Sequence, residues 1–279
     1  MIDITYRIGP KGRSRKSALS ASEVQKKLEQ GNQHFSFLIA AMRAGKPLSH
    51  ITTVSSQDVG GVGAECAVQS PYAAVLSCSD ARVPTEMILQ QGFNDLFIVR
   101  VAGNVLGNEC LGSLRYAVSH FPHTLRVIGV LGHANCGAVT ATVDAFLQPR
   151  RYLDVAGNYP LRTIIDQIMI SARSADMGLK EVHGPTVTGN PGYRNALIRV
   201  TVGLNAAWNA FSLRQELAGY TSGDVKIVFG VYDLGSHTLG LLPSDGGSEV
   251  REGFFEPPAD ADRFRELVKE LCGAVLATR

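Results

Sequence analysis

The sequence has no apolar run that approaches the roughly 20 residues a membrane-spanning helix needs, and its N-terminus is polar and basic with no apolar stretch behind it. It also lacks a strong excess of either charge, since 27 basic and 25 acidic residues leave a formal net charge of +2. Its Lys/Arg clusters are short, so nothing indicates a surface for nucleic acid or anionic lipid. We therefore expect a soluble, unprocessed protein that binds neither nucleic acid nor membranes.

Cysteine is too scarce and too scattered for a disulfide-stapled fold. The five cysteines are an odd number spread over 279 residues, a length that buries a core without covalent staples. We therefore predict a reducing compartment, the cytoplasm. In that setting a cysteine is a small core residue, a nucleophile or a metal ligand, and its neighbours decide which.

Internal repeats and low-complexity tracts are absent too, and the apolar residues fall into short runs instead. Four runs rich in β-branched residues are typical of strands buried on both faces, at 72–76, 96–101, 125–131 and 225–231. Helical patterns lie between them, and strands that alternate with helices imply a parallel sheet with right-handed crossovers. The sequence thus predicts an α/β fold with a parallel-core β-sheet flanked by helices.

The N-terminal part is predicted to differ from this core. Residues 1–20 are polar without a period and are predicted to be a mobile arm, followed by an N-terminal helical arm at 22–44. Residues 48–70, rich in Ser, Thr and Gly, are predicted to be loop. Because no later loop is long enough to separate domains, residues 21–279 are predicted to form a single α/β domain that includes the helical arm.

Two short motifs follow two of the predicted strands. Cys78 begins Cys-Ser-Asp-Ala-Arg-Val-Pro after the first strand, and His133 and Cys136 belong to Gly-His-Ala-Asn-Cys-Gly after the third. Open α/β sheets bind their ligands beyond the carboxyl ends of strands. If the two strands are neighbours, these side chains converge as a Cys2His zinc site with a fourth position free for water or substrate. The alternative is two ordinary buried thiols and a satisfied loop histidine.

Asp80 and Arg82 alternate with Cys78, so along an extended loop the three side chains could point the same way. A carboxylate beside a fixed guanidinium stays ionised and keeps a definite orientation. Asp80 could then accept the proton of a zinc-bound hydroxide and direct its lone pair at a substrate, or rotate and occupy the fourth zinc position itself. The alternative is a solvated ion pair in a structural turn.

The pattern Cys-x-Asp-x-Arg after one strand and His-x-x-Cys after another resembles the beta-class carbonic anhydrases. The resemblance covers about residues 69–234, with 148–192 poorly matched. The further matching segments are Gln-Ser-Pro at 69–71, Gly-Phe-Asn-Asp-Leu-Phe-Ile-Val-Arg-Val-Ala-Gly-Asn at 92–104, Ser-Leu-Arg-Tyr-Ala-Val at 113–118 and, more weakly, Val-Phe-Gly-Val-Tyr-Asp-Leu at 228–234.

The resemblance implies reversible hydration of carbon dioxide to bicarbonate and a proton by zinc-bound hydroxide. It implies that Cys78, His133 and Cys136 hold the Zn²⁺ ion, and that Asp80 and Arg82 are the family's orienting pair. It also implies a homodimer or higher even oligomer built around an N-terminal helical arm. On this reading the predicted α/β domain is a zinc-binding domain.

The resemblance also indicates a substrate pocket. Gln69 falls where that family places an amide that donates a hydrogen bond to substrate oxygen, and Phe97 falls where an aromatic residue walls the pocket. Because carbon dioxide is small and apolar, Phe97, Val99 and Ala102 are predicted to line it. Carbonyl sulfide and carbon disulfide are alternative substrates that the sequence does not separate. A third hypothesis is a non-catalytic, zinc-stabilised binding scaffold. The Asp80–Arg82 pair argues against it, because a structural zinc needs no orienting arginine.

Overall fold

The computed structural model describes residues 2–9, 19–60, 66–220, 225–242 and 251–276. It has an α/β architecture in which helices flank a mostly parallel sheet. The elements are, in chain order, β1 (Ile2–Gly9), α1 (Ala21–Arg43), β2 (Leu48–Ser55), β3 (Ala73–Ser77), α2 (Thr85–Ile88), β4 (Leu96–Arg100), α3 (Asn108–His120), β5 (Val127–His133), α4 (Gly137–Leu147), α5 (Pro149–Ala156), α6 (Tyr159–His183), α7 (Tyr193–Leu217), β6 (Lys226–Tyr232), β7 (Leu239–Gly240) and α8 (Ala261–Gly273).

The described part of the central sheet has the strand order β4-β3-β5-β6-β7, with the last strand antiparallel to its neighbour. Strands β3 and β5 are buried along their whole lengths, which explains their continuous apolar sequence. They pair in parallel, with Ser77 opposite Leu131, so the chain leaves both strands at the same edge of the sheet. The predicted α/β fold with a parallel core is confirmed.

Helices cover the sheet on both faces. One face packs against α3, α4, α6 and α7 in the larger hydrophobic core. The other face is covered by α1, whose buried Val24, Leu28 and Phe35 belong to a second core together with Tyr72 and Val75. This is the predicted N-terminal helical arm, and a capping box fixes its start. None of the helices in the described ranges has both the length and the apolar composition of a membrane-crossing segment.

Close backbone approach fixes α1 on the sheet. A Cβ atom built on Gly31 would lie only 1.9 Å from the carbonyl oxygen of Leu89. The next residue, the buried Asn32, donates from Nδ2 to the carbonyl oxygens of Ile88, at 3.2 Å, and His237, at 3.1 Å. Because one side chain ties the helix both to the last residue of α2 and to the loop between β6 and β7, the register of α1 on this face is well defined.

Gly31→Ala is expected to destabilise the fold by about 1–3 kcal/mol, because the added methyl group overlaps a backbone oxygen and α1 must shift. Urea unfolding of the purified protein measures the effect. Gly112→Ala is the matched control, since a Cβ atom on this α3 glycine meets nothing within 4 Å. That control should be neutral or stabilising by about 0.4–1 kcal/mol; equal stability of the two variants would contradict the close approach at Gly31.

The N-terminal segment contains a strand that the sequence analysis does not predict. Ile2–Gly9 forms β1, which pairs in parallel with β2 so that Ile4 lies opposite His50. The signal for this strand is the alternation of Ile4, Tyr6 and Ile8, which all remain exposed. Residues 1 and 10–18 lie outside the described residues. The division into an arm at 1–20 and one domain at 21–279 therefore stays a prediction.

The predicted loop at 48–70 is also partly regular. Its first half contains β2, followed by a 3₁₀ turn at Ser56–Val59. The β-branched sequence Ile-Thr-Thr-Val at 51–54 suits an extended chain, and Val54 is buried at the end of the strand. The prediction of loop is wrong for this first half because Ser and Thr are as compatible with a strand as with a turn.

Candidate metal centre and active site

The two predicted motifs meet at one edge of the central sheet. Cys78 directly follows β3, His133 is the last residue of β5, and Cys136 is the residue that immediately precedes α4. In the part of the chain that is described, these three residues form a group that could hold a metal ion, with one ligand atom of each within 4.8 Å of the others. All three side chains are buried. The structure thus brings the predicted ligands together.

The two thiols are too close to ionise together without a countercharge. Their Sγ atoms lie 4.0 Å apart. The hydrogen bond between them holds the pKa of Cys78 well below its usual range and raises the pKa of Cys136, to which burial also contributes. A bound dication would remove the repulsion that keeps the second thiol protonated. The pair is therefore suited to a cation that accepts two thiolates.

His133 presents an unused nitrogen to the same point. Its ring is fully buried, and Nδ1 lies 2.8 Å from the carbonyl oxygen of Ala134, which accepts the ring proton. That tautomer leaves a lone pair on Nε2, which has no hydrogen-bond partner among the described residues. An unpaired buried nitrogen is costly, and a metal ion would satisfy it. Two thiolates and an imidazole are ligands that zinc prefers, so these residues fit that ion.

Asp80 and Arg82 form a two-point ion pair beside this group. Arg82 donates from Nε to Oδ1 at 2.9 Å and from Nη2 to Oδ2 at 2.7 Å. These bonds hold the pKa of the Asp80 carboxyl well below its usual range, so the carboxylate is ionised. Its Oδ2 lies 3.8 Å from His133 Nε2. The Arg82 side chain is 56% exposed, so the pair adds little stability and its main effect is to orient the carboxylate.

Arg100 lies in the family-like segment at 92–104, but the sequence analysis assigns it no role in the site. It ends β4 and lies opposite Ser77 of β3. Its guanidinium donates from Nε to the carbonyl oxygen of Cys78, at 3.0 Å, and from Nη2 to that of Asp80, at 2.5 Å. Arg100 therefore holds the backbone of the first motif in place. The feature that could have indicated this role is the position of Arg100 at the end of β4, the strand that pairs with β3 just before the first motif.

The predicted substrate-binding residues are only partly brought together. Phe97 and Val99 lie half-buried on the edge strand β4 and pack against the core that contains both predicted cysteine ligands. Ala102 lies in a 3₁₀ turn just after this strand. Gln69 is exposed on the segment before β3, outside the buried group. Substrate contacts of these four residues stay predictions.

The chain is similar to a known protein family and to relatives of assigned function. A family model described as carbonic anhydrase matches residues 73–236. A carbonic anhydrase of Mycolicibacterium smegmatis is 41% identical over 120 residues, which are 43% of this chain and 52% of that protein. Carbonic anhydrase 2 of Mycobacterium tuberculosis is 40% identical over 120 residues, 43% of this chain and 51% of that protein. The chain spans about half the length of these curated relatives.

Solved structures of beta-carbonic anhydrases match part of the chain, and two of them serve as examples. The enzyme of Coccomyxa in complex with acetazolamide has a TM-score of 0.47 and 23% sequence identity, and the match covers 61% of this chain and 71% of that one. The beta-carbonic anhydrase CcaA has a TM-score of 0.45 and 20% identity, with 66% of this chain and 85% of that one covered.

Proposed function

This chain belongs to the beta-class carbonic anhydrase family, and we propose that it catalyses the reversible hydration of carbon dioxide to bicarbonate and a proton. The observation that carries the proposal is the convergence of Cys78 Sγ, His133 Nε2 and Cys136 Sγ beside the carboxylate of Asp80. A ligand set suited to zinc would supply a nucleophile for such a hydration, and the oriented carboxylate next to it would direct that nucleophile.

Cys78, His133 and Cys136 are the residues proposed to hold the zinc ion. When bound, zinc lowers the pKa of water and so supplies a nucleophile at neutral pH. Because the Ala134 carbonyl oxygen accepts the Nδ1 proton of His133, the ring would bind the ion through Nε2. The cysteines would bind as thiolates, so metal uptake should release protons.

Asp80 is proposed to orient the attacking oxygen. Its Oδ2 accepts a hydrogen bond from Arg82 Nη2, and because a carboxylate oxygen has two lone pairs, it can accept a second bond from a nucleophilic hydroxyl. That bond would fix the hydroxyl proton on the side of Asp80 and direct an oxygen lone pair at the carbon of carbon dioxide. Arg82 supports this role by keeping the carboxylate ionised and in one orientation.

The substrate pocket is proposed to be completed by a second copy of the chain. Strand β4 is an edge strand with half-buried residues, whereas its neighbour β3 is fully buried. Phe97 on this strand lies 6.2 Å from the ring of Tyr116, which is 46% exposed. A homodimer or higher even oligomer that covers this edge would bury the aromatic surface and could bring the exposed Gln69 to a site. Sedimentation equilibrium is expected to show an even oligomer rather than a monomer.

The cytoplasm is the proposed compartment. All five cysteines are free thiols in the structure, including the exposed Cys66. Free thiols persist where glutathione and thioredoxin keep them reduced. Fractionation of the source cells, followed by detection of the chain in the membrane-free and soluble fractions, tests this assignment.

Stopped-flow hydration assays on zinc-loaded protein test the proposed activity. We expect about one zinc ion per chain and turnover of carbon dioxide that disappears on chelation. Carbonyl sulfide and carbon disulfide are assayed on the same preparation. Turnover of either of these gases without hydration of carbon dioxide would replace the proposed substrate. Bound zinc without turnover of any of the three would favour a non-catalytic scaffold.

A further inference from the structure

Two buried asparagines connect the long helix α7 to the metal centre. Asn205 and Asn209 lie one helical turn apart, and only 1% and 5% of their surfaces are exposed. Neither belongs to the two motifs that carry the predicted ligands. Buried amides are costly unless hydrogen-bonded, so their partners indicate what they hold in place.

The partners of both asparagines lie in the turn that follows β4. Asn205 donates from Nδ2 to the carbonyl oxygen of Gly103, at 2.8 Å. Asn209 accepts at Oδ1 from the backbone N–H of Leu106, at 3.3 Å. It also donates from Nδ2 to Oδ1 of Asn205, at 3.2 Å, which fixes the direction of the Asn205 amide. The two side chains therefore hold the turn at two points.

This turn reaches a proposed zinc ligand directly. The backbone N–H of Gly103 donates to Cys78 Sγ at 3.3 Å. Gly103 has a φ of +68°, and a Cβ atom there would lie 2.7 Å from Ile168 Cδ1 and 3.1 Å from Ala138 Cβ. The turn is therefore pressed between α4 and α6 in a conformation that glycine favours. The asparagines hold its other side, at the Gly103 carbonyl oxygen and the Leu106 N–H, so they help to fix the position of Gly103 relative to Cys78.

We propose that Asn205 and Asn209 are positioning residues of the metal centre, which keep the Gly103 N–H aimed at the Cys78 sulfur. A hydrogen bond to a ligating thiolate favours its charged form and adjusts how much charge it donates to the cation. The inference rests on the proposed zinc site. It gives helix α7, which lies outside both motifs, a role in how strongly the metal is bound.

Three variants test the inference on the full-length, zinc-loaded protein. Asn205→Leu keeps the approximate size of the side chain and removes the donor to the Gly103 carbonyl oxygen. Asn209→Ala keeps Asn205 but removes the side chain that bonds to its Oδ1 and to the Leu106 N–H. Thr201→Val is the matched control, because Thr201 is fully buried one turn earlier on α7 and bonds within the helix, to Leu197 O at 2.6 Å. Zinc transfer to a chromogenic chelator gives the release rate, and the sulfur-to-cobalt charge-transfer band of the Co²⁺-substituted protein reports on the thiolates.

We expect Asn205→Leu to accelerate zinc release by about 10-fold or more, within the range typical of lost outer-shell partners, and to shift the cobalt band. Asn209→Ala should shift the same two quantities by less. Thr201→Val should leave the release rate within about twofold of the parent and the band unchanged. A merely structural role would lower the unfolding midpoint without moving the cobalt band, so the spectrum separates the two roles.

Parent-like release rates and spectra in both asparagine variants would overturn the inference. Should Asn205→Leu fail to fold, the milder Asn209→Ala decides by the same two measurements. Failure of the proposed zinc site is recognised separately, since the parent protein would then bind neither zinc nor cobalt. Failure of the proposed activity is recognised by metal-loaded parent protein that does not hydrate carbon dioxide. If the parent binds metal and both asparagine variants release it at the parent rate with the parent spectrum, the role of the asparagines is overturned and the zinc site is not.

Discussion

Replacement of Cys136 with serine is expected to abolish zinc binding and carbon dioxide hydration together. A serine hydroxyl stays protonated at neutral pH and is a poor zinc ligand, so the buried group loses one of its two thiolates. The loss in metal affinity should exceed the roughly 10–100-fold that removal of an outer-shell partner costs. Because metal binding also stabilises the folded state, added zinc should no longer raise the melting temperature. Metal content after dialysis and thermal unfolding with and without zinc measure both effects.

Cys272→Ser is the matched control for this substitution. Cys272 is also a fully buried thiol, but it lies on α8, where its Sγ faces the carbonyl oxygen of Ala175 at 3.7 Å. This variant should lose some stability because a hydroxyl replaces a thiol in the core, yet it should retain zinc. Full zinc occupancy in Cys136→Ser would remove Cys136 from the ligand set.

Asp80→Asn is expected to retain zinc and to lose turnover by about 100-fold or more, the range for removal of a group that handles a proton. Asparagine has the same shape, but the amide nitrogen that replaces one carboxylate oxygen cannot accept hydrogen bonds from Arg82 and from a nucleophilic hydroxyl. The amide is also neutral, so the two-point ion pair is lost. Stopped-flow hydration normalised to zinc content is the measurement, and near-parent turnover would exclude Asp80 from the mechanism.

Asp144→Asn provides a closely matched control. Asp144 on α4 also makes a two-point pair, with Arg194 Nε at 2.7 Å and Nη2 at 3.0 Å, and Arg194 likewise lowers the pKa of this carboxyl. The variant should hydrate carbon dioxide at the parent rate. Equal loss of turnover in both variants would indicate that breaking any such ion pair disturbs the fold, which would leave no specific role for Asp80.

The core strands were accessible from sequence because burial on both faces leaves a continuous apolar run. The run at 125–131 corresponds to β5 at Val127–His133, and the run at 225–231 to β6 at Lys226–Tyr232. Strand order was the missing information. In the chain β4 lies between β3 and β5, but in the sheet β3 is the central strand of the three. The three predicted ligands meet because of that order, which no local pattern specifies.

The features missed at the sequence level depend on contacts between distant segments. Arg100 and Asn205 act through hydrogen bonds to backbone atoms elsewhere in the chain, and periodicity records burial rather than hydrogen-bond partners. Strand β1 was missed for a different reason. Its alternation of apolar and polar residues at 2–8 is a strand signal, but the alternating stretch is short and leads directly into the polar, basic residues at 9–16.

The location of Cys136 at the start of α4 has an electrostatic consequence. Aligned peptide dipoles place roughly half a positive elementary charge at the first turn of a helix, and here that end adjoins a sulfur that must lose its proton to bind zinc. Helix α4 packs against α6 and α7, so this partial charge is fixed in space. Part of the positive charge that would stabilise a Cys136 thiolate therefore comes from helix α4 itself. It is held in place by the hydrophobic core and is present whether or not an ion is bound.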